Sequence, residues 1–168
     1  MTKSPLADAF AHHIWATLRI LDACEPLSPE QLGTSGVGTY GSILATLRHL
    51  VASDRSYLGL LDDRLEDVDE EAIELSAMRA VIDANGPAWQ EVAAGEIDPD
   101  QVIVRHRDDG SESHAPLGIR LAQVIHHGTD HRSQICTILT TLGIEPPPID
   151  AWDYAWSDGR LREVPAPA

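Results

Sequence analysis

Leu117, Leu121, Val124, Gly128, His131, Ile135, Ile138 and Leu142 follow one another at alternating steps of four and three residues. An α-helix puts such a series on a single face, and a face this long has to be buried against other helices. Gly143 and then Pro146-Pro147-Pro148 end the pattern. Glycine suits the left-handed position after a helix, and the prolines cannot extend it. The seam carries two residues that plain apolar packing would not choose, Gly128 and His131.

Three further segments have helical spacing. Residues 5–24 place Phe10, Ile14, Thr17 and Leu21 on one face, with Ser4 as N-cap and Pro5 in the first turn. A second helix starts at Thr39 or Ser42 and ends near Leu61, with Ile43, Leu47, Leu50, Tyr57 and Leu61 as its stripe; Asp54 falls on that stripe. The third covers residues 70–94, where Gly86-Pro87 predicts a kink or short break. Residues 26–38 read as a loop and the acidic stretch 62–71 as a solvated connection running into the third helix. Residues 101–106 and 111–115, around Asp108-Asp109-Gly110, predict a small β-hairpin. Near the C-terminus Trp152, Tyr154 and Trp156 suggest a turn or two of helix on the bundle. The fold expected is all-α: a four-helix bundle with a small β-hairpin inserted before the last long helix. One domain spans residues 1–162, and 163–168 form a flexible tail.

Charge and cysteine content narrow the function classes. Acidic residues outnumber basic ones 27 to 12 over 168 residues, a formal net charge of -15. Such a surface repels phosphate, so neither nucleic acid nor an anionic membrane is an expected partner. No stretch approaches the roughly 20 apolar residues of a membrane span, and no basic patch followed by an apolar run marks a signal peptide. Cys24 and Cys136 are too few for a disulfide framework. The expectation is a cytoplasmic protein in which both cysteines are buried small hydrophobes rather than nucleophiles. No nucleophile elbow, phosphate-cradling loop or Rossmann fingerprint occurs.

The chemistry rests with the eight histidines. His127 and His131 are four apart, so their rings share a helical face. His131 is on the seam, His127 on its shoulder, and His126 faces away. Gly128 leaves room between the rings for a cavity. His49, with Ala45, Ala52, Ser53 and Ser56 as small neighbours, offers a third nitrogen from the second helix. The plain alternative is a buried neutral histidine beside an exposed one, with His49 a half-exposed helix residue. Three neutral imidazoles around a divalent ion leave positions open and favour an anion such as hydroxide or thiolate. Imidazole suits zinc, nickel and iron alike, so the ligands do not name the metal. Asp130 and Gln134 flank His131 and could orient its ring. Asp54 is either a partner of the site or ion-paired with a nearby arginine. Arg132 either holds a substrate carboxylate or is a surface charge. His13 is either near a pocket or a satisfied core histidine, and His106 and His114 are solvated.

The string Val124-Ile125-His126-His127-Gly128-Thr129-Asp130-His131-Arg132-Ser133-Gln134-Ile135 resembles the last-helix motif of the DinB superfamily, also described as DinB/YfiT-like metalloenzymes. Thr46-Leu47-Arg48-His49-Leu50-Val51-Ala52-Ser53-Asp54 is similar to that family's second-helix motif. His13-Ile14-Trp15-Ala16 is similar to its first-helix signature, where asparagine often stands in place of His13. Asp150-Ala151-Trp152-Asp153-Tyr154-Ala155-Trp156 resembles its C-terminal aromatic segment. The resemblance implies a four-helix bundle with a pocket near one end, a metal triad of His49, His127 and His131, and a homodimer. Relatives include thiol-dependent S-transferases and a mycothiol-dependent maleylpyruvate isomerase. The family name comes from damage-inducible expression and implies no DNA binding. The expected function is thus a divalent-metal-dependent enzyme. It activates a low-molecular-weight thiol or water for S-transfer, isomerisation or hydrolysis of a small electrophilic substrate. Arg132, His13 and Asp54 are the expected catalytic and substrate-contact residues. The alternatives are a non-catalytic metal- or small-molecule-binding module of a stress response, and a helical dimerisation protein whose histidines only pack.

Overall fold

The computed structural model describes residues 4–166. Its elements are α1 (Pro5–Cys24), α2 (Pro29–Leu32), α3 (Ile43–Gly59), α4 (Leu75–Ala94), β1 (Val102–His106), β2 (Glu112–Pro116), α5 (Leu117–Thr141) and α6 (Ala151–Ser157). The Ser4 hydroxyl accepts from the Ala7 N–H and the Ser42 hydroxyl from the Ala45 N–H, capping α1 and α3. No side chain caps α5. Its first N–H groups donate instead to Gln101 O and Pro99 O, on the chain leading into the hairpin. In that hairpin β1 and β2 pair antiparallel, with Val102 opposite Pro116 and His106 opposite Glu112. No helix among the described residues is long and apolar enough to cross a membrane.

The structure departs from the sequence reading in three places. The loop expected at 26–38 contains α2, held by a capping box in which Ser28 and Gln31 each bond the other's backbone. The third long helix starts at Leu75 rather than residue 70. The Asp69 side chain accepts the N–H groups of Glu71 and Ala72, a local turn that competes with helix there. And α4 runs through Gly86-Pro87 without a break. The proline removes one backbone bond, while Ile82, Asn85 and Trp89, all buried, hold the helix on both sides. The short C-terminal helix packs on α1 through Tyr154, which lies against Trp15 and His12. Trp152 and Trp156 are exposed rather than packed on the bundle. Residues 163–166 are exposed and without helix or strand; the last two residues of the expected tail lie outside the described range.

Both α1 and α3 pack against α4 and α5, so the four long helices close a ring. The core inside is two apolar clusters. One is centred on Ile20, Leu47, Met78, Ile82, Ile135 and Ile138. The other holds Phe10, Leu58, Trp89, Leu121 and Val124, with Phe10 and Trp89 stacked at 4.4 Å. Polar residues separate the two clusters on every helix. They are His13 and Thr17 on α1, Asp54 on α3, Asn85 on α4, and Arg132 on α5.

This buried layer is one network. The Asp54 carboxylate accepts from His13 Nε2 (2.9 Å), Trp89 Nε1 (3.0 Å) and Asn85 Nδ2 (2.5 Å). Guanidinium nitrogens only donate, so at 3.1 Å Arg132 Nη1 donates to His13 Nδ1. That fixes the tautomer: His13 is neutral, carries its proton on Nε2 and stands between the cation and the carboxylate. Arg132 also donates to Thr17 Oγ1 and Thr129 Oγ1. Burial lowers its pKa to about 10, which leaves it charged at neutral pH. Gly128 makes room for this network rather than for a cavity. A Cβ there would stand 2.4 Å from His13 Cε1 and 2.8 Å from Arg132 Nη1.

Three substitutions test this layer, with Gly86 as a control outside it. Gly128→Ala, whose new methyl meets hydrogen-bonded buried atoms, loses about 1–3 kcal/mol in urea unfolding. Gly86→Ala meets only Ile14, at an ordinary 3.5 Å, and gains up to about 1 kcal/mol of helix propensity. Equal effects at the two glycines would contradict the packing described. Asp54→Ala leaves a buried guanidinium without its counter-ion and costs about 3–5 kcal/mol; a loss below about 1 kcal/mol would show that the layer does not hold the bundle together.

Candidate metal centre

Neighbouring helices supply the three histidines. His49 comes from α3, His127 and His131 from successive turns of α5. One ligand nitrogen from each lies within 4.8 Å of the others. His127 Nε2 is 3.0 Å from His49 Nε2 and 3.1 Å from His131 Nε2. Nitrogens on a tetrahedral ion at about 2.0–2.1 Å stand about 3.3–3.4 Å apart, so a small outward movement of the rings admits an ion.

The far side of two rings is fixed. His49 Nδ1 donates to the Glu70 carboxylate at 3.0 and 3.2 Å. His131 Nδ1 lies 3.1 Å from Gln134 Oε1, which also accepts the Tyr40 backbone N–H at 2.9 Å. Because these oxygens only accept, the Nδ1 atoms carry the hydrogens and the Nε2 lone pairs face the common centre. Tyr40 lies over the assembly: its ring stacks on His49 at 4.1 Å and its hydroxyl donates to Glu70 at 3.2 Å. Burial, then the neighbouring His131 and His49, pushes His127 down to about 4; burial also lowers His131. Both rings are therefore neutral at neutral pH, the form that ligates a metal. A donor set of three imidazole nitrogens with two anchored rings fits a divalent ion with open positions.

The other candidates fall into place around this centre. His126 is exposed and outside it. Of the two residues expected to orient His131, Gln134 does so, while Asp130 is exposed. Arg132 is 2% exposed, so the surface-charge reading of it fails. Its partners are His13, Thr17 and Thr129. His13 is a satisfied core histidine, 1% exposed. Asp54 meets His13, Asn85 and Trp89 rather than a neighbouring arginine directly. These three residues form one group, next to the triad in sequence at Arg132 and sealed from solvent. Burial pushes the Cys24 thiol up to about 12 and raises Cys136, so neither is a thiolate at neutral pH. His106 and His114 are exposed beside Glu112.

Sequence reasoning missed Glu70 and Tyr40. Both lie outside the long helices, where no periodicity reports on position. Glu70 is one acid among many in a stretch that reads as solvated, and the sequence holds no signal that singles it out.

No curated protein matches the chain. A model of the DinB family matches residues 1–164. With a match over almost its whole length, on a helical bundle that gathers His49, His127 and His131, the chain belongs to the DinB family.

Proposed function

We propose that this chain is a metal-dependent DinB-type enzyme that holds one divalent ion on His49, His127 and His131 and acts on a small electrophilic substrate. The observation that supports this most is the aim of the rings. Three Nε2 atoms converge while Glu70 and Gln134 occupy the Nδ1 hydrogens behind two of them. A divalent ion bound there supplies Lewis acidity, which brings the pKa of a low-molecular-weight thiol or of water toward neutrality.

The protein's own contribution is placement and charge. Three neutral imidazoles bring no negative charge to the centre, so the ion's charge remains available to an anionic nucleophile. Glu70 orients the His49 ring through its Nδ1–H, and Gln134 holds His131 in the tautomer that ligates. His13, Asp54 and Arg132 serve as positioning residues: they fix the level of α5 against α1, α3 and α4 directly beside His131. With a thiol as nucleophile the chemistry is S-transfer or thiol-assisted isomerisation; with water it is hydrolysis.

Metal analysis of tag-free protein tests the reading. One divalent ion per chain is expected, falling to trace levels in each of His49→Ala, His127→Ala and His131→Ala; unchanged metal in all three would refute it. Glu70→Ala, which keeps every ligand, should weaken retention against a competing chelator by about 10–100-fold. Full metal with no turnover over a panel of thiols and electrophiles would favour a non-catalytic binding module instead.

A further inference from the structure

His49, Ser53 and Ser56 stand at positions i, i+4 and i+7 of α3 and share one face of that helix. Ser56 is about 10 Å beyond His49 along the axis. A hollow of about 220 Å³ follows this face, walled by Ser53, Ser56, Tyr57, Glu70 and Arg105 among others. No triad histidine lines it, but two of its wall residues touch the triad. Glu70 accepts the His49 Nδ1–H, and the Tyr57 ring stands 6.0 Å from the His127 ring, edge to face. Its wall also holds Arg105 of β1, whose Nη2 donates to the Ser56 hydroxyl at 3.2 Å. A second hollow of about 490 Å³ shares Ser56, Asp67 and Arg105 with it.

Arg105 is one of several arginines, Arg107 and Arg120 among them, that make only neutral hydrogen bonds. In a chain with 27 acids and 12 bases, Arg48, Arg64, Arg79 and Arg160 each pair with a carboxylate. Arg105 forms no ion pair among the described residues, although Asp67 and Glu70 line the same hollow and Asp63 and Asp108 the adjoining one. One of its N–H groups is engaged by a neutral hydroxyl, and the rest of the planar fork is free to take a carboxylate with two parallel bonds.

We propose that Arg105 is the anion-recognition residue of this site, binding a carboxylate at one end of an elongated small molecule whose reacting atom lies at the histidine triad. The inference rests on the triad being the metal centre. The separation, about 10 Å along α3, sets the length of the ligand. The hydroxyls of Ser53, Ser56 and Tyr57 along the wall suit a polar middle section. The carboxylate belongs either to the thiol or to the electrophile.

The test uses cobalt-loaded protein and two thiols of equal chain length, 6-mercaptohexanoate and 6-mercaptohexanol. Thiol binding is read from the cobalt absorption spectrum, and Arg105 from its side-chain Nε–H resonance. The carboxylate thiol should bind about tenfold more tightly than the alcohol, and Arg105→Gln should abolish that preference. The Arg105 resonance should move with the carboxylate and not with the alcohol. If only hexanoate, and not the mercapto acid, shifts the resonance while the metal is loaded, the carboxylate belongs to the electrophile. Equal affinities in the unaltered protein together with a resonance indifferent to both carboxylates, or a preference that survives Arg105→Gln, would overturn the proposal. Failure to take up cobalt would refute the metal reading instead, and hexanoate added to metal-free protein would still decide on Arg105.

Discussion

A carboxylate and a guanidinium buried in the middle of the bundle, with a neutral imidazole between them, set the constraint on which the rest of the structure depends. Removing such ions from water costs several kcal/mol apiece, and only complete hydrogen bonding offsets it. Asp54, on α3, meets that demand with donors from α1 (His13) and α4 (Asn85 and Trp89); Arg132, on α5, meets it with acceptors from α1. No helix can slide or rotate by a residue without orphaning one of these groups. The apolar clusters above and below tolerate small adjustments far better, because dispersion contacts are non-directional. The polar layer therefore gives the bundle its register.

The histidine triad inherits that register. Arg132 follows His131 directly, so the bonds that fix the guanidinium also fix the turn of α5 that presents His127 and His131 to α3. Across the interface His49 lies on the same helix as Asp54, a little over one turn away. The rings are thus brought together by the polar layer, and the connecting segments complete the arrangement from outside. Glu70 arrives on the segment between α3 and α4, and Tyr40 on the segment before α3.

Much of this could be read from the residues alone, for a physical reason. Helical phase is visible wherever apolar residues recur, so the seam of α5, the stripe of α3 and the hairpin before α5 were legible, as was the inward phase of His131 with His127 beside it. Arg132 was legible in principle: it is one turn beyond Gly128, and a glycine on a packed seam signals that something large needs the space. Its charge suggests a substrate contact or a surface position, and its phase, which puts it in the core, is the better guide. The start of α4 was obscured by Asp69, whose side chain offers the backbone a turn in place of helix. Glu70 and Tyr40 were not legible, because in irregular segments position depends on the whole fold rather than on local spacing.

The central claim concerns the number and kind of atoms around one ion. X-ray absorption spectroscopy of the metal-loaded, tag-free protein measures this directly. Three imidazole nitrogens are expected at about 2.0–2.1 Å, with any remaining position taken by a light atom from solvent or by the sulfur of an added thiol. A first shell with fewer than three imidazoles, or one containing protein sulfur, would contradict the claim.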